Sequence, residues 1–184
     1  IFYEESGGGV SLSGGEPLMQ PGFTLALARA FSELDLHLTL DTSGHGSSQV
    51  LEELLGLADL VLYDLKLADP ETHQHYTGLG NELILDNLHR LDAALVPYRI
   101  RVPVIPGITE TETALEQMAE LLAGLHRRPA VDLLPYHASA EAKYERLGQA
   151  YRLRGLKPPS PERMTAIASL FRRYGLEAHI GGLS

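Results

Sequence analysis

No cysteine occurs among the 184 residues, which excludes disulfides, a thiol nucleophile and any thiolate-bound metal within them. Nor is there a run of eighteen uninterrupted apolar residues, so no membrane span is expected. Positive charge is in the minority: 15 Lys and Arg face 24 Asp and Glu, giving a formal net charge of −9, and the basic residues are scattered. The field that gathers phosphate backbones is therefore missing, and nucleic acid is not an expected partner. The opening Ile1-Phe2-Tyr3-Glu4-Glu5 has neither the basic start nor the apolar core of a signal peptide, which points to a cytoplasmic location. Lacking an initial Met, it reads as an excised piece.

What is present suits one globular domain over residues 1–184: 44% of residues are hydrophobic, and a chain of this size buries about 70% of its unfolded surface. The stretch Gly7 to Pro17 reads as a binding corner. Val10, Ser11 and Leu12 form a buried strand, and Gly14 and Gly15 then leave main-chain groups uncovered by side chains. Glu16 adds a charged acceptor for an amine, and Pro17 fixes φ as the chain turns toward a helix beginning near Phe23. An ordinary strand-to-helix turn would need the glycines but has no use for Glu16.

Strand and helix signals then alternate. Phe23, Leu27, Phe31 and Leu34 lie on one side of a helix, and His37 to Leu40 forms a strand running into Asp41-Thr42-Ser43-Gly44. Ser47 or Ser48 caps a helix carrying Val50, Leu51, Leu54 and Leu55. Leu60-Val61-Leu62-Tyr63 reads as a parallel strand covered on both faces and ends in Asp64-Leu65-Lys66. A helical excursion from Asp69 to Gly78 precedes a helix with Ile84, Leu88, Leu91 and Leu95 inward. Tyr98 to Val104 is a strand broken by Pro106-Gly107, and Thr109 with Glu112 forms a capping box before a helix with Leu115, Met118, Leu122 and Leu125 inward. Val131 to Leu134 is a strand leaving through Pro135-Tyr136-His137. A polar covering loop runs to Pro159, and Ser160-Pro161 starts a last helix carrying Met164, Ile167, Phe171 and Tyr174. Glu177 to Ile180 closes the chain with a short strand.

Such alternation implies a parallel α/β sheet with right-handed crossovers, and ligands of these sheets gather at the carboxyl ends of the strands. Five such ends carry Ser13 to Glu16, Asp41 to Ser43, Asp64 to Lys66, Arg101 to Gly107, and His137.

With these motifs laid out, the chain resembles the activating enzymes of glycyl radical enzymes, and most of all the pyruvate formate-lyase activating enzymes, in the radical S-adenosylmethionine superfamily. The resemblance runs nearly end to end. It rests on Gly-Gly-Val-Ser-Leu-Ser-Gly-Gly-Glu-Pro, Leu-Asp-Thr-Ser-Gly, Leu-Tyr-Asp-Leu-Lys, Arg-Val-Pro-Val-Ile-Pro-Gly-Ile-Thr, and Leu-Leu-Pro-Tyr-His followed by Lys143-Tyr144 and Leu147-Gly148. It implies a partial (β/α) barrel of the radical S-adenosylmethionine type, truncated at its N-terminus. It also implies an anaerobic oxidoreductase chemistry in which the parent protein cleaves S-adenosylmethionine to a 5′-deoxyadenosyl radical, which takes hydrogen from a glycine of a partner enzyme. The electron would come from a donor such as flavodoxin or ferredoxin.

By the same resemblance Ser13, Gly14, Gly15 and Glu16 hold the amino end of S-adenosylmethionine, and Lys66 and His137 address its carboxylate or ribose. Arg101 lies near the cosubstrate or the incoming glycine-bearing peptide, and Asp41, Thr42 and Asp64 resemble a monovalent-cation site. A surface lysine, a loop histidine, a salt-bridging arginine and two surface carboxylates are the plainer alternatives. The family's three cysteines, spaced Cys-x3-Cys-x2-Cys around a [4Fe-4S] cluster, are absent, so the cluster is expected only in the parent protein and this chain alone is expected to be inactive. A missing first strand would leave a sheet edge that pairs with another copy or with a shifted terminal segment. Two rivals remain: a barrel lyase using Lys66 as a Schiff-base nucleophile, and a noncatalytic binding module.

Overall fold

The computed structural model describes residues 8–137, 153 and 155–181. Strand β1 (Gly9–Leu12) leads through a 3-10 turn (Pro17–Met19) into α1 (Pro21–Glu33), followed by β2 (His37–Thr42), α2 (Ser48–Leu55) and β3 (Leu60–Asp64). Next come α3 (Pro70–Thr77), α4 (Glu82–Ala93), β4 (Tyr98–Val104), α5 (Glu112–Ala123), β5 (Ala130–Pro135), α6 (Pro161–Arg173) and β6 (Ala178–Ile180).

The six strands form one sheet in the order β1-β2-β3-β4-β5-β6, with every neighbouring pair parallel. A sheet wound steadily in one direction by right-handed crossovers carries its helices on a single face, which is barrel winding rather than the two-sided winding of open sheets. The fold is a partial (β/α) barrel. Burial follows the two-residue strand period: Leu38, Leu40, Val61, Tyr63, Ile100, Val102, Val104, Val131 and Leu133 are buried under the helices. On the other face of the same strands Thr39, Asp41, Leu62, Asp64, Arg99 and Arg101 are only partly buried. The expectation that Leu60 to Tyr63 is covered on both faces is corrected accordingly, since Leu60 and Leu62 lie on the open concave side.

The helices close the convex layer through the stripes their sequences carry. Leu51 and Leu54, then Ile84, Leu88 and Leu91, then Leu115, Met118 and Leu122, and finally Met164, Ile167 and Phe171 are all buried. Each such side chain contributes on the order of 1.5–3 kcal/mol of burial. Three expectations are corrected. Helix α1 buries Thr24 and Ala28, whereas Phe23 and Leu34 are 64% and 68% exposed, so its inner face is rotated from the phenylalanine stripe. Leu95 lies past the end of α4 and is almost wholly exposed. The cap of α5 is Thr111, whose side chain accepts from the Ala114 N–H, while Thr109 is buried and donates instead to the Pro103 carbonyl at 2.5 Å. The Ser160 cap of α6 is as expected, with its hydroxyl accepting from the Arg163 N–H at 3.2 Å. Lys143-Tyr144, Leu147-Gly148 and most of the expected covering loop lie outside the described residues. Among the described residues no helix is long and apolar enough to cross a membrane.

Candidate functional site

The carboxyl ends of β1 to β4 open into a cleft of about 330 Å³ lined by Ser13 to Glu16, Asp41 to Ser43, Asp64, Lys66 and Arg101. Parallel pairing brings them there: Ser11 is in register with Thr39, Asp41 with Leu62, and Asp64 with Arg101, so the residues just past each strand end fall along one rim. Nine of the ten candidate site residues line this cleft. His137, exposed beyond β5, does not.

Gly14 has φ +119°, a conformation that L side chains rarely adopt, and a Cβ built on either Gly14 or Gly15 would meet nothing within 4 Å. The main chain of the corner is thus open toward the cleft. Glu16 ends it. Its Oε1 accepts from the Thr42 hydroxyl at 2.5 Å and the Leu18 N–H at 3.2 Å, and its Oε2 from the Ser43 N–H at 2.8 Å and the Ser43 hydroxyl at 2.6 Å. Those four donors match the carboxylate's acceptor capacity, yet no cation pairs with its charge among the described residues. Two of the donors are hydroxyls that rotate freely enough to yield to a stronger donor.

Beside Glu16, the Ser13 hydroxyl donates to Asp41 Oδ2 at 2.9 Å, fastening the exit of β1 to the end of β2. The Arg101 guanidinium spans two strands: its Nε donates to Asp64 Oδ1 at 2.8 Å and its Nη2 to Asp41 Oδ1. Burial pushes the Asp64 carboxyl up; Arg101 and Lys66 pull it down and Asp41 pushes it up again, leaving it above the usual range. Burial works against the Arg101 charge, but Asp64 and Asp41 outweigh it and hold the guanidinium more firmly protonated. Lys66 forms no ion pair or hydrogen bond with a described residue. Three carboxylates against Lys66 and Arg101 leave the cleft a formal charge of −1.

This arrangement bears on both metal and nucleophile readings. Among the described residues there is no group of three or more His, Cys, Asp and Glu able to hold a metal ion. Asp41 and Asp64, expected with Thr42 to take a monovalent cation, already share Arg101, and Thr42 donates to Glu16. Lys66 acts electrostatically on Asp64 and pulls its carboxyl down, so the lysine faces a carboxylate across the cleft.

The loop after β2 is shaped by Gly44. Its φ is +74°, and a Cβ there would lie 1.7 Å from the Tyr63 hydroxyl, which donates to the Ile84 carbonyl at 2.6 Å. Only glycine lets the loop lie over that ring. Sequence reasoning missed Tyr63 here, as well as Asn81 and Asn87. Asn87 did leave a signal, because a polar residue stands on the inner stripe of α4 between Ile84 and Leu88.

Comparison with known proteins bears on the family and the fold. The sequence model of the Radical SAM superfamily matches residues 2–122. The chain is 39% identical over 185 residues to the trans-4-hydroxy-L-proline dehydratase activating enzyme of Clostridioides difficile, covering 99% of this chain and 61% of that protein. It is 34% identical over 176 residues to the pyruvate formate-lyase 1-activating enzyme of Escherichia coli K12, covering 95% and 72%. The crystal structure of a domain of a pyruvate-formate lyase-activating enzyme from Bacteroides vulgatus superposes with a TM-score of 0.80 at 34% identity, over 95% of this chain and 99% of that one. The chain spans about three fifths of the length of the Clostridioides relative.

Proposed function

The chain belongs to the radical S-adenosylmethionine superfamily, among the activating enzymes of glycyl radical enzymes, and from that premise we propose that the cleft beside Glu16 holds S-adenosylmethionine. The observation that carries the proposal is the open main chain of Gly14 and Gly15 in a cleft of formal charge −1. S-adenosylmethionine, with an ammonium, a sulfonium and one carboxylate, has a net charge of about +1 and complements it. Its ammonium displaces the rotatable Ser43 and Thr42 hydroxyls at Glu16, exchanging neutral hydrogen bonds for charge-assisted ones. The ammonium of Lys66 takes the carboxylate or ribose, with His137 joining from β5. Arg101 turns toward the cosubstrate or the incoming peptide, and a monovalent cation at Asp41, Thr42 and Asp64 then replaces its charge.

Bound there and reduced by one electron, S-adenosylmethionine would break its S–C5′ bond to give methionine and a 5′-deoxyadenosyl radical, which would take a hydrogen atom from a glycine and leave as 5′-deoxyadenosine. The chain's own part is to bind and orient the cosubstrate as a single domain over residues 1–184. It has no cysteine, so it offers a [4Fe-4S] cluster no thiolate. In the whole protein the thiolates come from outside these residues, the electron from flavodoxin or ferredoxin, and the glycine from a glycyl radical enzyme such as pyruvate formate-lyase.

Calorimetric titration with S-adenosylmethionine tests the site: Glu16→Gln should weaken binding on the order of tenfold or more. No binding to the unsubstituted protein, or equal binding by the variant, defeats the proposal. For the activating role the decisive observation is the cysteine triplet in the full gene; without it that role fails.

A further inference from the structure

Two asparagines at the start and middle of α4 are wholly buried, and each aims its amide nitrogen at a loop of the cleft. Asn87 Nδ2 donates to the Gly44 carbonyl at 2.7 Å and the Gly46 carbonyl at 3.0 Å. Asn81 Nδ2 donates to the Leu67 carbonyl at 3.1 Å and the Ala68 carbonyl at 2.9 Å. In both residues the other amide atom, Oδ1, is buried without a hydrogen-bond partner among the described residues. That fixes the orientation, because a flipped amide would set its oxygen against two carbonyl oxygens. It also argues against a packing role. A leucine would fill either place with no orphaned acceptor, and an unpaired buried polar atom is costly.

From this geometry we propose that Asn87 and Asn81 are positioning residues for the cosubstrate site, Asn87 acting through Glu16 and Asn81 through Lys66; the proposal rests on the binding reading above. The Asn87 pathway is continuous. Its two bonds hold the turn at Gly44 to Gly46, the Gly44 N–H donates to the Thr42 hydroxyl at 2.9 Å, and Thr42 and Ser43 together supply three of the four donors on Glu16. Helix α4 also holds the loop from below, since Tyr63, on which Gly44 lies, donates to the Ile84 carbonyl. Asn81 secures the two residues directly after Lys66, and so sets where that cation leaves β3. One helix thereby sets the spacing between the group for the ammonium and the group for the carboxylate.

The test uses the full-length protein with Asn87→Leu, and Leu122→Ala as a control that weakens the core under a different helix. In Asn87→Leu, amide exchange of Ser43 to Gly46 should quicken roughly tenfold relative to β4, and the control should leave that ratio unchanged. S-adenosylmethionine affinity should fall on the order of tenfold, with no further loss when Glu16→Gln is already present. Asn87→Asp should be worse than Asn87→Leu, because it sets a charged acceptor against two carbonyl oxygens. Asn81→Leu should instead be non-additive with Lys66→Ala. Unchanged relative exchange in the loop, or additive losses of affinity, overturn the inference. If the unsubstituted protein does not bind S-adenosylmethionine, the proposed function falls and this inference with it; binding together with unchanged relative exchange overturns this inference alone.

Discussion

Both ends of the sheet carry a buried or half-buried carboxylate among polar partners, and the two clusters are built on opposite principles. At the amino ends of the strands Asp92 accepts from the Tyr98 hydroxyl and the His126 N–H at 2.7 Å each, and from the Arg127 N–H at 3.1 Å. Arg127 in turn donates to the Ala94 and Val96 carbonyls, and its guanidinium lies 4.9 Å from the centre of the Tyr98 ring. Donors and acceptors there satisfy one another. At the carboxyl ends the rim has three carboxylates for two cations, a lysine with no ion-pair partner among the described residues, and two glycines with uncovered main chain. Polar content alone does not mark a binding site. Groups left over after the protein has satisfied itself do.

The largest effect should therefore fall at the end whose donors and acceptors satisfy one another. Asp92→Ala removes the acceptor shared by three donors in a buried place, and should cost about 3 kcal/mol of stability in urea melts while leaving S-adenosylmethionine affinity of the folded protein unchanged. A loss of affinity on that substitution would break the contrast between the two ends.

At the rim the adjacent glycines sharpen it. Gly14→Ala forces a side chain into φ +119° and should cost roughly 1–2 kcal/mol. Gly15 carries no such φ and has open space around it, so Gly15→Ala should stay within about 0.5 kcal/mol of the unsubstituted protein. It nonetheless lays a methyl group over main chain that the cosubstrate is proposed to approach, so its affinity should fall. Urea melts alongside calorimetry separate the two. A neutral Gly15→Ala with undiminished affinity would mean that the open main chain is not a contact.

Most of the fold could be read from the chain because strand and helix periods are clean: β4 spans the expected Tyr98 to Val104, and the inner stripes of α2, α5 and α6 are those expected. The rim was legible too, since in a parallel sheet polar residues after each strand must arrive at one end. Three-dimensional satisfaction was not. Nothing in Asp41, Asp64 and Arg101 as separate letters tells that one guanidinium spans both carboxylates, because that depends on the register Asp64 to Arg101 and on β2 lying beside β3. Phe23 misled for a related reason. Its four-residue spacing is helical, but which side of α1 meets the sheet is decided by the turn at Pro17 to Met19, where the Thr24 hydroxyl donates back to the Pro17 carbonyl at 2.9 Å.

The finest test of the two-ended comparison is the sign of a pH slope. Burial raises Asp64 above the ordinary 3.8, and Arg101 and Lys66 do not fully reverse it. The folded state thus keeps a proton that the unfolded chain has released, so stability from Asp64 is fully present below 3.8 and is lost as pH rises through its folded value. Asp92 behaves the other way. Burial pushes it up as well, but the Tyr98 hydroxyl and the His126 and Arg127 N–H groups outweigh that and hold it below 3.8, so its stability is present above that pH and is lost as pH falls. Urea unfolding of the unsubstituted protein, Asp64→Asn and Asp92→Asn from about pH 3 to 6 reads this directly. The stability gap to Asp64→Asn should shrink or reverse with rising pH, whereas the gap to Asp92→Asn should widen. The cause lies in the balance of burial against partners: burial prevails over Arg101 and Lys66 at Asp64, whereas three fixed donors outweigh it at Asp92. Slopes of the same sign would mean that the rim carboxylates are as fully satisfied as Asp92, and the cleft would lose the surplus charge on which its proposed attraction for a cationic cosubstrate depends.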